Sequence, residues 1–140
     1  MKQFFAFAAA LLVAAAHAQV VVDQPWVRTT VAQQTTTGAF MTITSAQGGK
    51  LVSASSPIAA SVEVHEMQMN GDVMKMRPVA ALPLPAGKPV ELKAGAYHMM
   101  LLGLKAPVKF GDVVPIRLVI EDASGKRETV DVKATAKLVM

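Results

Sequence analysis

Two histidines and three methionines carry the chemistry of this chain. His65 and Met67 stand two apart in VEVHEMQMNGDVMKMRPV, and His98 and Met100 stand two apart in GAYHMMLLG. Met76 lies between the two groups, with ten residues separating it from His65 and twenty-one separating it from His98. Imidazole nitrogen and thioether sulfur are neutral donors, and a mixed set of them suits soft Cu(I) better than harder divalent metals. Methionine needs no deprotonation to bind, so only the histidines would make such a site proton-sensitive. Thioethers are weaker donors than thiolates, which lets an acceptor rich in cysteine remove the metal by stepwise exchange. The expected ligand set is His65, Met76, His98 and Met100, with Met67 as a secondary candidate.

These side chains must be held by strands. Valine, isoleucine and threonine alternate with polar residues in VVVDQPWVRT, GAFMTITS, KLVSAS, SVEVHEMQM, DVMKMRPV, PVELKAG, YHMMLLGL, VVPIRLVIED and KRETVDVKAT, and Gly, Pro or Asn-Gly punctuate the runs. The pattern predicts an all-β sandwich or partly closed barrel of seven to nine strands in a single domain, with the last two runs joined as a hairpin through DASGK. Asn70-Gly71 reads as a two-residue type I′ loop. That loop would set Met69 opposite Asp72, Met67 opposite Met74, His65 opposite Met76 and Glu66 opposite Lys75. The period of two then puts His65, Met67, Met69, Asp72, Met74 and Met76 on one face. His98 and Met100 share a face of their own strand for the same reason.

The remaining candidates have plainer expected roles. Met67, Met69 and Met74 fit packing in the core or around the rim, with Met67 the best of the three as a ligand. Met99 points away from His98 and Met100 and is expected in the core, as is Trp26, whereas Met41 could lie on either side. Glu66 is expected to face away from the histidines, and Glu63 to share their face but point outward near Pro78.

Composition narrows the function further. The chain has 140 residues, a formal charge of +4 and no cysteine. Without cysteine, the sequence offers no thiolate zinc site, no thiol redox chemistry, no blue-copper centre and no lipid anchor on cysteine. The basic residues are scattered, which argues against nucleic acid as a partner. Residues 1–18, MKQFFAFAAALLVAAAHA, read as a cleaved secretory signal peptide: Lys2, an apolar run too short to span a bilayer, then Ala16-His17-Ala18. Residues 19–140 are then the mature domain, exported to an oxidising compartment and not inserted in the membrane. No water-activating position with a general base is visible, so catalysis is not expected.

The spacing His-x(10)-Met-x(21)-His-x-Met, met by His65, Met76, His98 and Met100, resembles the signature of the PCuAC copper chaperones. PWVRTT, GAFMTIT, VEVHEM, NGDVMKMRPV, LPLPAGKPVELKAGAYHMML and LLGLKAPVKFGD are similar to that family as well, so the resemblance covers nearly the whole mature chain. Phe40 and Ser45 stand where a tyrosine and an asparagine are expected. The resemblance implies a cupredoxin-like Greek-key β-fold, a periplasmic location, a monomer holding one Cu(I), and delivery to the CuA centre of cytochrome c oxidase subunit II, directly or through a Sco-type protein. Copper storage or resistance without a transfer partner needs the same site and is the alternative.

Overall fold

Runs rich in β-branched residues, cut by glycine and proline, fold into ten strands in the computed structural model, which describes residues 19–138. The expected signal segment lies outside the described residues. The strands are β1 (Val20–Arg28), β2 (Thr36–Ser45), β3 (Gly49–Ser55), β4 (Ala59–Asn70), β5 (Val73–Pro78), β6 (Leu82–Leu84), β7 (Val90–Leu92), β8 (His98–Leu104), β9 (Val113–Glu121) and β10 (Arg127–Lys137). There is no helix among the described residues. All nine expected strands are present; the tenth, β6, is the three-residue Leu-Pro-Leu run, too short to show a period. It pairs only with β3, where Pro83 is tolerated because edge strands need fewer donors.

Seven strands close a barrel in the order β4-β8-β2-β1-β10-β9-β3, and the circuit returns to β4 where Ala54 of β3 meets Val62. Closure removes most of the open edges that an all-β chain must otherwise protect. The alternation read in the sequence puts Val27, Ala39, Ile43, Val64, Met99, Leu101, Ile116, Leu118, Ala134 and Ala136 inside. Each large aliphatic side chain fully buried there stabilises the fold by about 1.5–3 kcal/mol. Met99 is in this core as expected, and Met41, left open by the sequence, joins it. The β9–β10 hairpin pairs Glu121 with Arg127 across the DASGK turn, also as expected.

Trp26 departs from its expected place. Gln24 at φ 49° and Pro25 interrupt β1 with a register shift between Asp23 and Trp26. Val27 then points inward, while Trp26 is half-buried on the outer surface, with its ring centroid 4.5 Å from that of Phe40.

The β4–β5 hairpin also departs from its expected register. Asn70 pairs with Val73, so the two-residue loop is Gly71-Asp72, with Gly71 at φ 67°. Positive φ at the first central residue alone is the mark of a type II′ turn, whereas type I′ would need it at both. The slip is two residues, which changes the partners but not the faces. Met67 now opposes Met76, Met69 opposes Met74, His65 opposes Pro78, and Glu66 meets Arg77 in place of Lys75. The Glu66 carboxylate accepts from Arg77 Nε at 2.6 Å, an opposite-charge cross-strand pair on the face away from the histidines.

Candidate metal centre

β4 pairs with β8 as far as His65 opposite His98, and there the barrel ends. Beyond that rung β4 is paired only with β5. Because Val62, Val64, Met99 and Leu101 face the core, the alternate residues Glu63, His65, Met67, His98 and Met100 lie on the outer face. Both histidines are nevertheless buried, with their ring centroids 5.9 Å apart in an edge-to-face arrangement. Met76 of β5 reaches the pair, and the Ala94–Ala96 backbone stands beside His98.

The hydrogen bonds fix which ring nitrogens carry lone pairs. A carbonyl only accepts, so His98 Nδ1–H donates to Ala96 O at 3.1 Å. In the neutral ring this leaves Nε2 with a lone pair, and Nε2 lies 2.8 Å from Met76 Sδ. In that tautomer a lone-pair nitrogen and a thioether sulfur face each other. His65 has the opposite arrangement: Nε2–H donates to Glu63 Oε2 at 2.8 Å, and buried Nδ1 has no hydrogen-bond partner among the described residues. Glu63 lies on the histidine face near Pro78 as expected, with its side chain 42% exposed, and its carboxylate turns along the strand to the neighbouring imidazole. Such outer-sphere carboxylates and carbonyls set the tautomer of metal-binding histidines.

Four of the five sequence candidates, Met67, Met76, His98 and Met100, line one cleft of about 280 Å³. Gly38, opposite Met100 on β2, lies on its wall, where a Cβ would come within 2.8 Å of the Phe40 ring. His65 stands behind this wall, joined to it through the edge-to-face contact with His98. Met69 and Met74, expected to pack, are 61% and 53% exposed at the hairpin tip and belong to no core. Among the described residues no three His, Cys, Asp or Glu side chains converge as a metal site.

This barrel is a cupredoxin-like domain of the PCuAC type. It is similar to the apo PCuAC domain from PmoF1, with a TM-score of 0.69 and 21% identity over 86% of this chain and 95% of that one, a likeness of fold. The solution structure of CuI-DR1885 from Deinococcus radiodurans is similar at 33% identity and a TM-score of 0.60, over 93% of this chain and 85% of that one. Residues 20–134 match the family model described as "Putative lipoprotein LpqE-like", and the chain belongs to that LpqE-like family. A relative in Leifsonia xyli subsp. xyli, named "Putative lipoprotein Lxx21020", is 32% identical over 115 residues, which are 80% of this chain and 68% of that protein. The PCuAC membership expected from the motif thus stands as a likeness of fold, and the family assignment is LpqE-like.

Proposed function

We propose that this protein is an exported Cu(I) carrier that holds one copper ion through His65, Met76, His98 and Met100. The observation that carries the reading is the apposition of His98 Nε2 and Met76 Sδ at 2.8 Å, two atoms that can each donate an electron pair to a soft metal. A cation between them would turn this contact into coordination. In tetrahedral geometry, with bonds of about 2.0 Å to nitrogen and 2.3 Å to sulfur as for zinc, the two donors stand roughly 3.5 Å apart. Met76 must therefore withdraw slightly to admit the ion, which its unbranched, freely rotating side chain allows. His65 Nδ1, buried and without a hydrogen-bond partner among the described residues, is the nitrogen available on the second ring. Met100 completes the set from the cleft wall, and Met67, opposite Met76, is a secondary donor.

All four ligands are neutral, so copper brings its own charge into a half-buried apolar cleft, which favours the monovalent ion. The likeness to CuI-DR1885 supports Cu(I) as the cargo. The "lipoprotein" names of the family and the Leifsonia relative support export, and the signal-like residues 1–18 point to the periplasm. A cysteine-linked lipid has no attachment point in these residues. The acceptor in this reading is the CuA centre of cytochrome c oxidase subunit II, with or without a Sco-type intermediary, whose thiolates outcompete thioethers for copper. The protein carries its cargo without chemical turnover.

Two arms test the reading. An anaerobic competition titration against a chromophoric Cu(I) chelator is expected to give one tight equivalent, absent from the Met76→Leu, His98→Ala double variant. Mixing copper-loaded protein with an apo CuA domain is expected to move the metal to that domain. Tight binding without transfer would replace delivery by storage, and no tight equivalent would overturn the copper reading itself.

A further inference from the structure

Past the His65–His98 rung, the hairpin carries methionine on every rung of the same face. Met67 opposes Met76, and one step further out Met69 opposes Met74. Directly opposed residues hold their Cβ atoms about 4.5–5.5 Å apart, close enough for two thioethers to share one ion. Successive rungs on one face are two residues apart, which is about 6.8 Å along an antiparallel strand. A methionine side chain spans most of that distance. The inner rung lines the cleft, and Met76 contacts His98. The outer rung projects into solvent, with Met69 and Met74 61% and 53% exposed. Packing does not account for this pair, since neither side chain touches the barrel core.

We infer that Met69 and Met74 form a second, weaker soft-metal site that passes Cu(I) between solvent or a partner and the buried histidines. The inference rests on the copper-carrier reading and adds to it a route. A monovalent ion held by two thioethers at the tip moves to the Met67–Met76 rung by exchanging one neutral donor for the next. No proton has to leave and no charge has to be created at any step. A site with two uncharged ligands binds more weakly than one with four, which is what an entry and exit point requires. The hairpin tip, and not the barrel wall, is then where an acceptor meets the metal.

The test uses Ag(I), a redox-inert stand-in for Cu(I), and the protein labelled with 13C at the methionine methyl groups. The first equivalent is expected to shift Met76 and Met100, and further Ag(I) to shift Met69 and Met74. The Met69→Leu, Met74→Leu double variant, close to volume-conserving and at exposed positions, should keep the first equivalent and lose the second. Its copper-loaded form should also release Cu(I) to a chelator more slowly, at unchanged equilibrium affinity. Methyl signals of Met69 and Met74 that stay fixed under excess Ag(I) would overturn the inference, as would a second equivalent that survives in the variant or release at the wild-type rate. Failure of the carrier reading would be seen separately, as the absence of any shift at Met76 and Met100.

Discussion

Replacing Glu63 should weaken copper binding even though its carboxylate is not among the four expected ligands. Glu63 Oε2 accepts from His65 Nε2 at 2.8 Å, and that bond is what leaves Nδ1 as the free nitrogen of the ring. In Glu63→Ala the ring loses its anchor and can adopt the other tautomer, so part of the binding energy goes into reorienting it. Losses of this kind typically run from about 10-fold to 100-fold in metal affinity, or about 1.4–2.7 kcal/mol. The Glu63 side chain is 42% exposed and that of His65 11% exposed, so water screens the pair on one side. That places the expected effect near the lower end, about 10-fold. Glu63→Gln keeps an acceptor oxygen and should recover most of the loss. The assay is the anaerobic chelator competition, with the stoichiometry of bound copper measured in parallel. Wild-type affinity in Glu63→Ala would refute the claim that this contact orients His65, and equal losses in Ala and Gln would show that charge, not hydrogen bonding, is what matters.

Two further predictions concern the frame that holds the site. Met99→Ala, at a position with no exposure between the outward-facing His98 and Met100 of β8, should destabilise the fold by about 2–5 kcal/mol, read as a lowered midpoint in urea with an unchanged slope. Asp122 accepts from Ser124 Oγ, Ser124 N and Lys126 N in the last hairpin turn. The Ser124 hydroxyl foremost, then the Lys126 amide, holds its carboxyl below the ordinary value of 3.8. A carboxylate depressed in the folded state contributes stability that is complete above the unfolded value and lost as pH falls through the folded one. The gap in unfolding midpoint between wild type and Asp122→Ala should therefore be constant at neutral pH and shrink only as pH drops below 3.8. A gap that grew in acid would contradict the assigned bonds.

Much of the site was legible because a strand's period of two is robust. The register of β4 against β5 was read two residues out, yet His65, Met67, Met69, Met74 and Met76 still fell on one face, since an even slip preserves every side-chain direction. The turn itself was harder to read. Asn-Gly and Gly-Asp overlap in Asn70-Gly71-Asp72, and the observed loop moves Glu66 from Lys75 to Arg77, a partner that local rules made equally available. Trp26 lies outside its expected place because Gln24 and Pro25 bulge the strand between Asp23 and Trp26, which a count of alternation cannot detect. The role of Glu63 was also hidden. Sequence puts it on the histidine face but does not say whether its carboxylate turns to solvent or along the strand to the next outward residue. A glutamate two positions before a candidate ligand histidine, in a strand, was the signal available. What brings His98 to His65 is the antiparallel pairing of β4 with β8, a non-local contact that spacing alone could not supply.

X-ray absorption at the copper edge of the anaerobically loaded protein reads the metal's ligands and oxidation state together. The expected spectrum is that of Cu(I) coordinated by nitrogen from His65 and His98 and sulfur from Met76 and Met100, with the sulfur contribution reduced in Met76→Leu. A shell of nitrogen and oxygen alone, unchanged in that variant, would contradict it.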